Sequence, residues 1–128
     1  MIKLVSTLKR KRGLSTAAFR DYYESTHRLI GEKYLRDYAV KYQRRYLEPL
    51  PGAGGDGEDM PFDVILELWF EDSQRLQAFL ARLQEPEVAQ EIALDEENLF
   101  DRSQKHSYLL TECESQLPAQ ADSAVGDD

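Results

Sequence analysis

The chain has 128 residues with a formal net charge of −8, 41% hydrophobic residues, seven tyrosines, five phenylalanines, one tryptophan and a single cysteine. That is enough apolar material for one core, so a single domain is expected, and no apolar run approaches the roughly 20 residues of a membrane span. The acidic balance repels phosphate backbones and argues against nucleic acid, while the lone Cys113 excludes an internal disulfide.

Ile2 to Leu8 alternates, with Ile2, Leu4, Ser6 and Leu8 on one side and Lys3, Val5 and Thr7 on the other, which predicts a first strand. No long apolar core or cleavage site follows it, so a signal peptide is not expected and a cytoplasmic location is the default. The basic run Lys9 to Arg12 reads as a solvated loop, with a contact for an acidic partner as the alternative.

Ser15 to Tyr34 is the clearest helix. Phe19, Tyr23, His27, Ile30 and Tyr34 recur at steps of four and three, stacking along one face, and Ser15 is the expected N-cap. Arg20, Asp21, Glu24, Arg28 and Glu32 are expected on the solvated side. Gly31 lies inside the pattern, so the helix is expected to end near it or to run on to Asp37.

Tyr38 to Leu47 changes to period two, with Tyr38, Val40, Tyr42, Arg44 and Tyr46 on one face, and predicts a second strand. Glu48 to Pro61 holds four glycines and three prolines and reads as a flexible loop or lid. Phe62 to Phe70 is the strongest strand. Phe62, Val64, Leu66, Leu68 and Phe70 form one apolar face, and Asp63, Ile65, Glu67 and Trp69 the other, a mixture that suits a pocket or a subunit contact.

Asp72 or Ser73 caps a helix with an apolar stripe of Leu76, Phe79, Leu80 and Leu83, and Pro86 opens a shorter one carrying Val88, Ala89 and Ile92. Asp95 to Asp101 reads as an acidic connection, and Gln104 to Cys113 as the last strand. Residues 1–113 therefore make the domain, and 114–128 a disordered acidic tail supplying −4 of the net charge. The order predicts an α+β, ferredoxin-like βαββαβ fold: a four-stranded antiparallel sheet with helices on one face. Trp69, Ile65, Tyr42 and Tyr108 are candidates for the uncovered face, and pairing of two sheets in a homodimer would remove that area from water.

The run LKRKRGLSTAAFRDYYESTH resembles the opening of the EthD family of the dimeric α/β-barrel superfamily. The resemblance is carried by Gly13, Leu14, Ser15, Phe19, Tyr23 and His27, and by Leu99, Phe100 and Asp101 before the last strand. Tyr23 stands where the family often has Trp. What the resemblance implies is a scaffold shared by proteins linked to ether degradation, by polyketide dehydratases, decarboxylases and cyclases, by isomerases and by quinol-forming monooxygenases, several acting without a cofactor. Fold-level likeness fixes the scaffold better than the reaction.

His27 has two readings, a packing residue between helix and sheet or an acid-base group, since imidazole titrates near neutrality. As a base it would move a proton at carbon beside a carbonyl, with Tyr23, Tyr38 or Tyr42 polarising the oxygen. His106 is a second candidate proton carrier or a surface residue, and Asp101 a loop cap or a catalytic carboxylate. Glu67 would act as an acid if a dry cavity beside Trp69 and Ile65 raised its pKa. Tyr38, Tyr42, Ile65, Trp69 and Tyr108 are the candidate substrate contacts. No metal or other cofactor is expected, since the two histidines lie far apart without a ligand spacing and a single cysteine makes no metal cage; nor is a nucleophilic role expected of Cys113, which ends a strand among acids.

The expected activity is therefore proton transfer on a small hydrophobic, oxygenated cyclic or polyketide-like substrate, leading to dehydration, cyclisation or isomerisation. A cofactor-free monooxygenase and a non-catalytic accessory protein of an oxidase are the alternatives.

Overall fold

The computed structural model describes residues 1–52 and 60–120. Half of the glycine-proline loop and the end of the acidic tail, residues 53–59 and 121–128, lie outside the described residues. Strand β1 (Ile2–Leu8) leads through a basic loop into α1 (Thr16–Tyr22), a π-helical turn (Tyr23–His27) and α2 (Arg28–Leu35). There follow β2 (Ala39–Tyr46), β3 (Val64–Phe70), α3 (Ser73–Leu83), α4 (Pro86–Glu96), a 3₁₀ turn (Arg102–Gln104) and β4 (His106–Leu109). All strand pairs are antiparallel, in the order β2-β3-β1-β4, which is the ferredoxin-like arrangement. No helix among the described residues is long and apolar enough to cross a membrane.

Strand parity decides which residues meet the helices. Leu4 pairs with Leu68 and Leu8 with Val64. This row packs under the helices into two clusters, one around Leu8, Phe19, Tyr23 and Phe100, the other around Leu35, Leu68, Phe70 and Phe79. Phe19 and Tyr23 are fully buried and meet edge to face, with ring centroids 6.2 Å apart.

The first helix is not continuous, contrary to the sequence reading. Its start is as expected, with Ser15 accepting from the Ala18 amide, but the Arg28 amide reaches back five residues to the Tyr23 carbonyl, opening a π turn. The reason lies in the spacing: a step of four residues overshoots a 3.6-residue turn by about 40°, so Phe19, Tyr23 and His27 would drift off the core. The wider turn takes up that overshoot and keeps both Tyr23 and His27 buried. Gly31 neither kinks nor ends the helix. A Cβ there would lie 2.8 Å from the Tyr42 hydroxyl, so its smallness admits the tyrosine beneath the helix.

Four further differences have local causes. Asp63 precedes β3 rather than sitting on its outer face, because both its carboxylate oxygens bind buried Arg10, at the amide (2.8 Å) and at Nε (3.1 Å). Arg10 is therefore a structural member of the basic loop, whereas Lys11 and Arg12 are exposed. Helix α4 is as long as α3 and includes Asp95, read above as part of a connection. The last strand is only four residues long, since it pairs with Leu4 to Thr7 of β1, and one further bond from the Leu110 amide to Lys3 ends the ladder.

Glu24 is also not merely solvated. Arg44 donates to its two oxygens at 2.7 and 3.0 Å and the Tyr46 hydroxyl at 2.5 Å, tying the π turn to β2. The Arg44 guanidinium is the main cause of a carboxyl pKa below its ordinary value. A carboxylate whose folded pKa is depressed contributes stability above its unfolded pKa and loses it as pH falls through the folded value. Urea midpoints are thus expected to fall between about pH 6 and pH 3, with a shallower fall in Glu24→Gln; equal slopes in the two proteins would remove Glu24 from the acid response.

Candidate active site

Between the inner sheet face and the helices lies an apolar cavity of about 360 Å³, whose walls include Tyr23, His27, Tyr42, Leu66, Phe79 and Leu83. A larger cleft of about 540 Å³ runs along Lys9 to Gly13, but its lining is mostly polar. Small-molecule sites are concave and mostly apolar with a few convergent polar groups, and the inner cavity has that character.

His27 closes the π turn with its side chain 9% exposed. Its Nδ1 lies 2.7 Å from Asp95 Oδ2, and the other Asp95 oxygen accepts from the Tyr22 hydroxyl at 2.5 Å. Asn98 donates in turn to the Tyr22 oxygen at 3.3 Å. The bond to Asp95 raises the Tyr22 pKa, so that phenol stays protonated and keeps donating. An aspartate accepting from Nδ1–H fixes the neutral ring in the tautomer whose Nε2 carries the lone pair. Edge-on contacts to the Tyr23 and Phe100 rings, at 5.2 and 5.4 Å, hold its plane. Nε2 has no hydrogen-bond partner among the described residues.

Tyr23 and Tyr42 share a hydrogen bond of 3.1 Å. Burial pushes the Tyr23 phenol well above its ordinary pKa and raises that of Tyr42. Both stay protonated at neutral pH, and since one bond uses one of two hydroxyl hydrogens, the pair retains a donor. A base, a phenolic donor and apolar walls therefore line one chamber.

Of the residues singled out in the sequence, the fold brings together Tyr23, His27 and Tyr42. Tyr38 packs at a tilt against Phe79, with ring centroids 6.0 Å apart, at the edge of the core instead of lining the chamber. Ile65, Glu67, Trp69, His106 and Tyr108 occupy the opposite face of the sheet, because inward Val64, Leu66, Leu68 and Phe70 force the odd-numbered positions of β3 outward. Across that face Val5 stands between Glu67 and Tyr108, and Thr7 pairs with His106.

Glu67 is thus no raised-pKa acid. The Trp69 indole N–H (2.5 Å) and Arg45 (2.6 Å) bind it and hold its pKa below the ordinary carboxylate range. Trp69 itself lies between the Lys3 and Lys41 ammonium groups, each 4.1 Å from the ring centroid. Asp101 caps the 3₁₀ turn through Ser103.

Asp95 and Tyr22 escaped the sequence reading. The signal was periodic: Asp95 follows Val88 and Ile92 at steps of four and three, the inward stripe of α4. No group of three or more His, Cys, Asp or Glu side chains among the described residues is arranged to hold a metal ion.

The family described as the EthD domain matches residues 11–103. An ethyl tert-butyl ether degradation (EthD) family protein from Bacillus halodurans superposes with a TM-score of 0.61 at 17% identity, over 88% of this chain and 99% of that one. An Arabidopsis thaliana protein gives 0.58 at 14% identity, covering 91% and 100%, and an EthD-like protein from Ralstonia eutropha gives 0.58 at 16% identity, covering 85% and 86%. At these identities the solved structures share the fold alone. No curated protein matches the sequence. With the family match spanning most of the domain and the solved structures sharing its fold, the chain belongs to the EthD domain family.

Proposed function

We propose that the protein is a proton-transfer enzyme acting on a hydrophobic, oxygenated cyclic or polyketide-like substrate. The observation that carries this reading is His27, held by Asp95 at 2.7 Å so that an unpartnered Nε2 belongs to a side chain lining an apolar cavity. Nε2 takes a proton from a carbon beside a carbonyl, and the hydroxyl pair of Tyr23 and Tyr42 donates to the oxygen on which the enolate charge develops. The imidazolium, stabilised by Asp95, then returns the proton to a leaving hydroxyl, releasing water, or to another carbon, giving an isomer. Apolar walls suit the ring skeleton and keep bulk water from the enolate.

An accessory protein would have no use for a base poised on an open chamber, and a histidine packed wholly against leucines would suit that role better. The cofactor-free oxygenase could use the same groups, and oxygen consumption separates it. Incubated with a panel of aromatic and alicyclic 1,3-diketones, the protein is expected to yield products of unchanged mass or lighter by one water, without oxygen uptake. Stoichiometric oxygen uptake would replace this reading with the oxygenase, and no turnover with no binding would remove it.

The outer sheet face supports a homodimer. Trp69, Ile65 and a 55% exposed Tyr108 leave apolar area in water that a second copy would cover. Light scattering is expected to give twice the chain mass, and Tyr108→Arg to lower it; a wild-type monomer at micromolar concentration would rule the dimer out.

A further inference from the structure

The cavity has polar groups that this mechanism leaves unused. Ser6 on β1 and Ser107 on β4 are paired across the strands, both line the chamber, and their hydroxyl oxygens are 2.7 Å apart. Ser6 is only 7% exposed, in a row whose other members are Ile2, Leu4 and Leu8. A hydroxyl at that position has a cost unless it is bonded.

Whichever serine donates, the pair uses one hydroxyl hydrogen and leaves the other without an acceptor among the described residues. It therefore offers the chamber a donor and free lone pairs side by side. A carbonyl or a carboxylate can use only the donor, whereas a ligand O–H group satisfies both. Lys105, two positions before Ser107, lines the same chamber with its ammonium on Glu96 at 2.8 Å, and Arg102 lies 3.6 Å from the same carboxylate. On the chamber wall itself the charges of Glu96 and Lys105 offset each other, so the serine pair stands beside a closed ion pair and suits a neutral O–H group.

We propose that the Ser6–Ser107 hydroxyl pair is a subsite for a hydroxyl group of the bound ring, selecting hydroxylated rings over plain hydrocarbons of the same size. The inference rests on the proposed function in that it takes the chamber to be the ligand site, and it deepens that reading by naming the group recognised.

Binding of 1-naphthol and of naphthalene to the full chain tests it, followed by NMR of the cavity methyl groups and the His27 ring. One added hydrogen bond corresponds to about 2- to 12-fold in affinity. The ratio of the naphthalene to the 1-naphthol dissociation constant is expected to fall by about that factor in Ser6→Ala/Ser107→Ala, with naphthalene binding unchanged. Ser107→Ala alone, on an exposed edge strand, is the milder change and is expected to give a smaller fall in the same direction. An unchanged ratio with both ligands bound would make the pair a strand clip and overturn the subsite while sparing the proposed function. Failure of both ligands to perturb the chamber would overturn both.

Discussion

Replacing His27 with alanine is expected to lower turnover by about 10²- to 10⁴-fold, the range of a single general base, while circular dichroism shows the fold intact. The fold survives because Asp95, the group left behind, still accepts from the Tyr22 hydroxyl and lies near water, its side chain 11% exposed. Asp95→Asn gives the sharper result. Its amide can donate to Nδ1, which moves the ring proton to Nε2 and takes the lone pair away from the chamber. Turnover should fall comparably although His27 is present and placed as before, and Asp95→Glu should recover part of it. Activity within about twofold of wild type in His27→Ala would take the ring out of the mechanism.

Asp63→Ala is expected to cost about 2–4 kcal/mol in urea unfolding, since it removes a buried charged acceptor. Asp63 and Arg10 are 3% and 7% exposed, so removing the carboxylate takes one bond from the Arg10 guanidinium, which still donates to the Leu14 carbonyl, and the bond from its backbone amide, both in the interior. The Asp63 amide donates to Leu8 and its carbonyl accepts from Leu47, so the residue joins the ends of β1, β2 and β3. Domains of this size have only about 5–15 kcal/mol in total, so the variant should be partly unfolded at moderate temperature. Asp63→Asn, which keeps the acceptor oxygen, should cost less. A loss below about 1 kcal/mol in Asp63→Ala would mean that the carboxylate adds little to the other bonds holding Arg10.

The residues that matter to these two expectations differ in how far the sequence reveals them. His27 stands out because it interrupts an aromatic stripe, and Tyr23 because it precedes His27 on the same face. Asp95 is invisible as a partner, since 68 residues separate it from His27 and its own stretch, DEENLFD, has the composition of a loop. The Ser6–Ser107 pair is hidden for the same reason: a serine within an apolar alternation resembles a tolerated substitution until the strand beside it is known.

Local chemistry alone determined the four strands and the helices between them, because alternation, caps and the Pro86 start act within a few residues of themselves. It also determined which positions of each strand share a face. Which face turns toward the helices, and what then meets across it, was decided only by the assembled sheet. The inward row of β3 sends Glu67 and Trp69 to one side and leaves His27, Tyr23 and Tyr42 on the other. Period-two patterns are symmetric between the two sides of a strand, and contacts between α1 and α4 depend on how both cross the sheet, so no window of neighbouring residues contains that information.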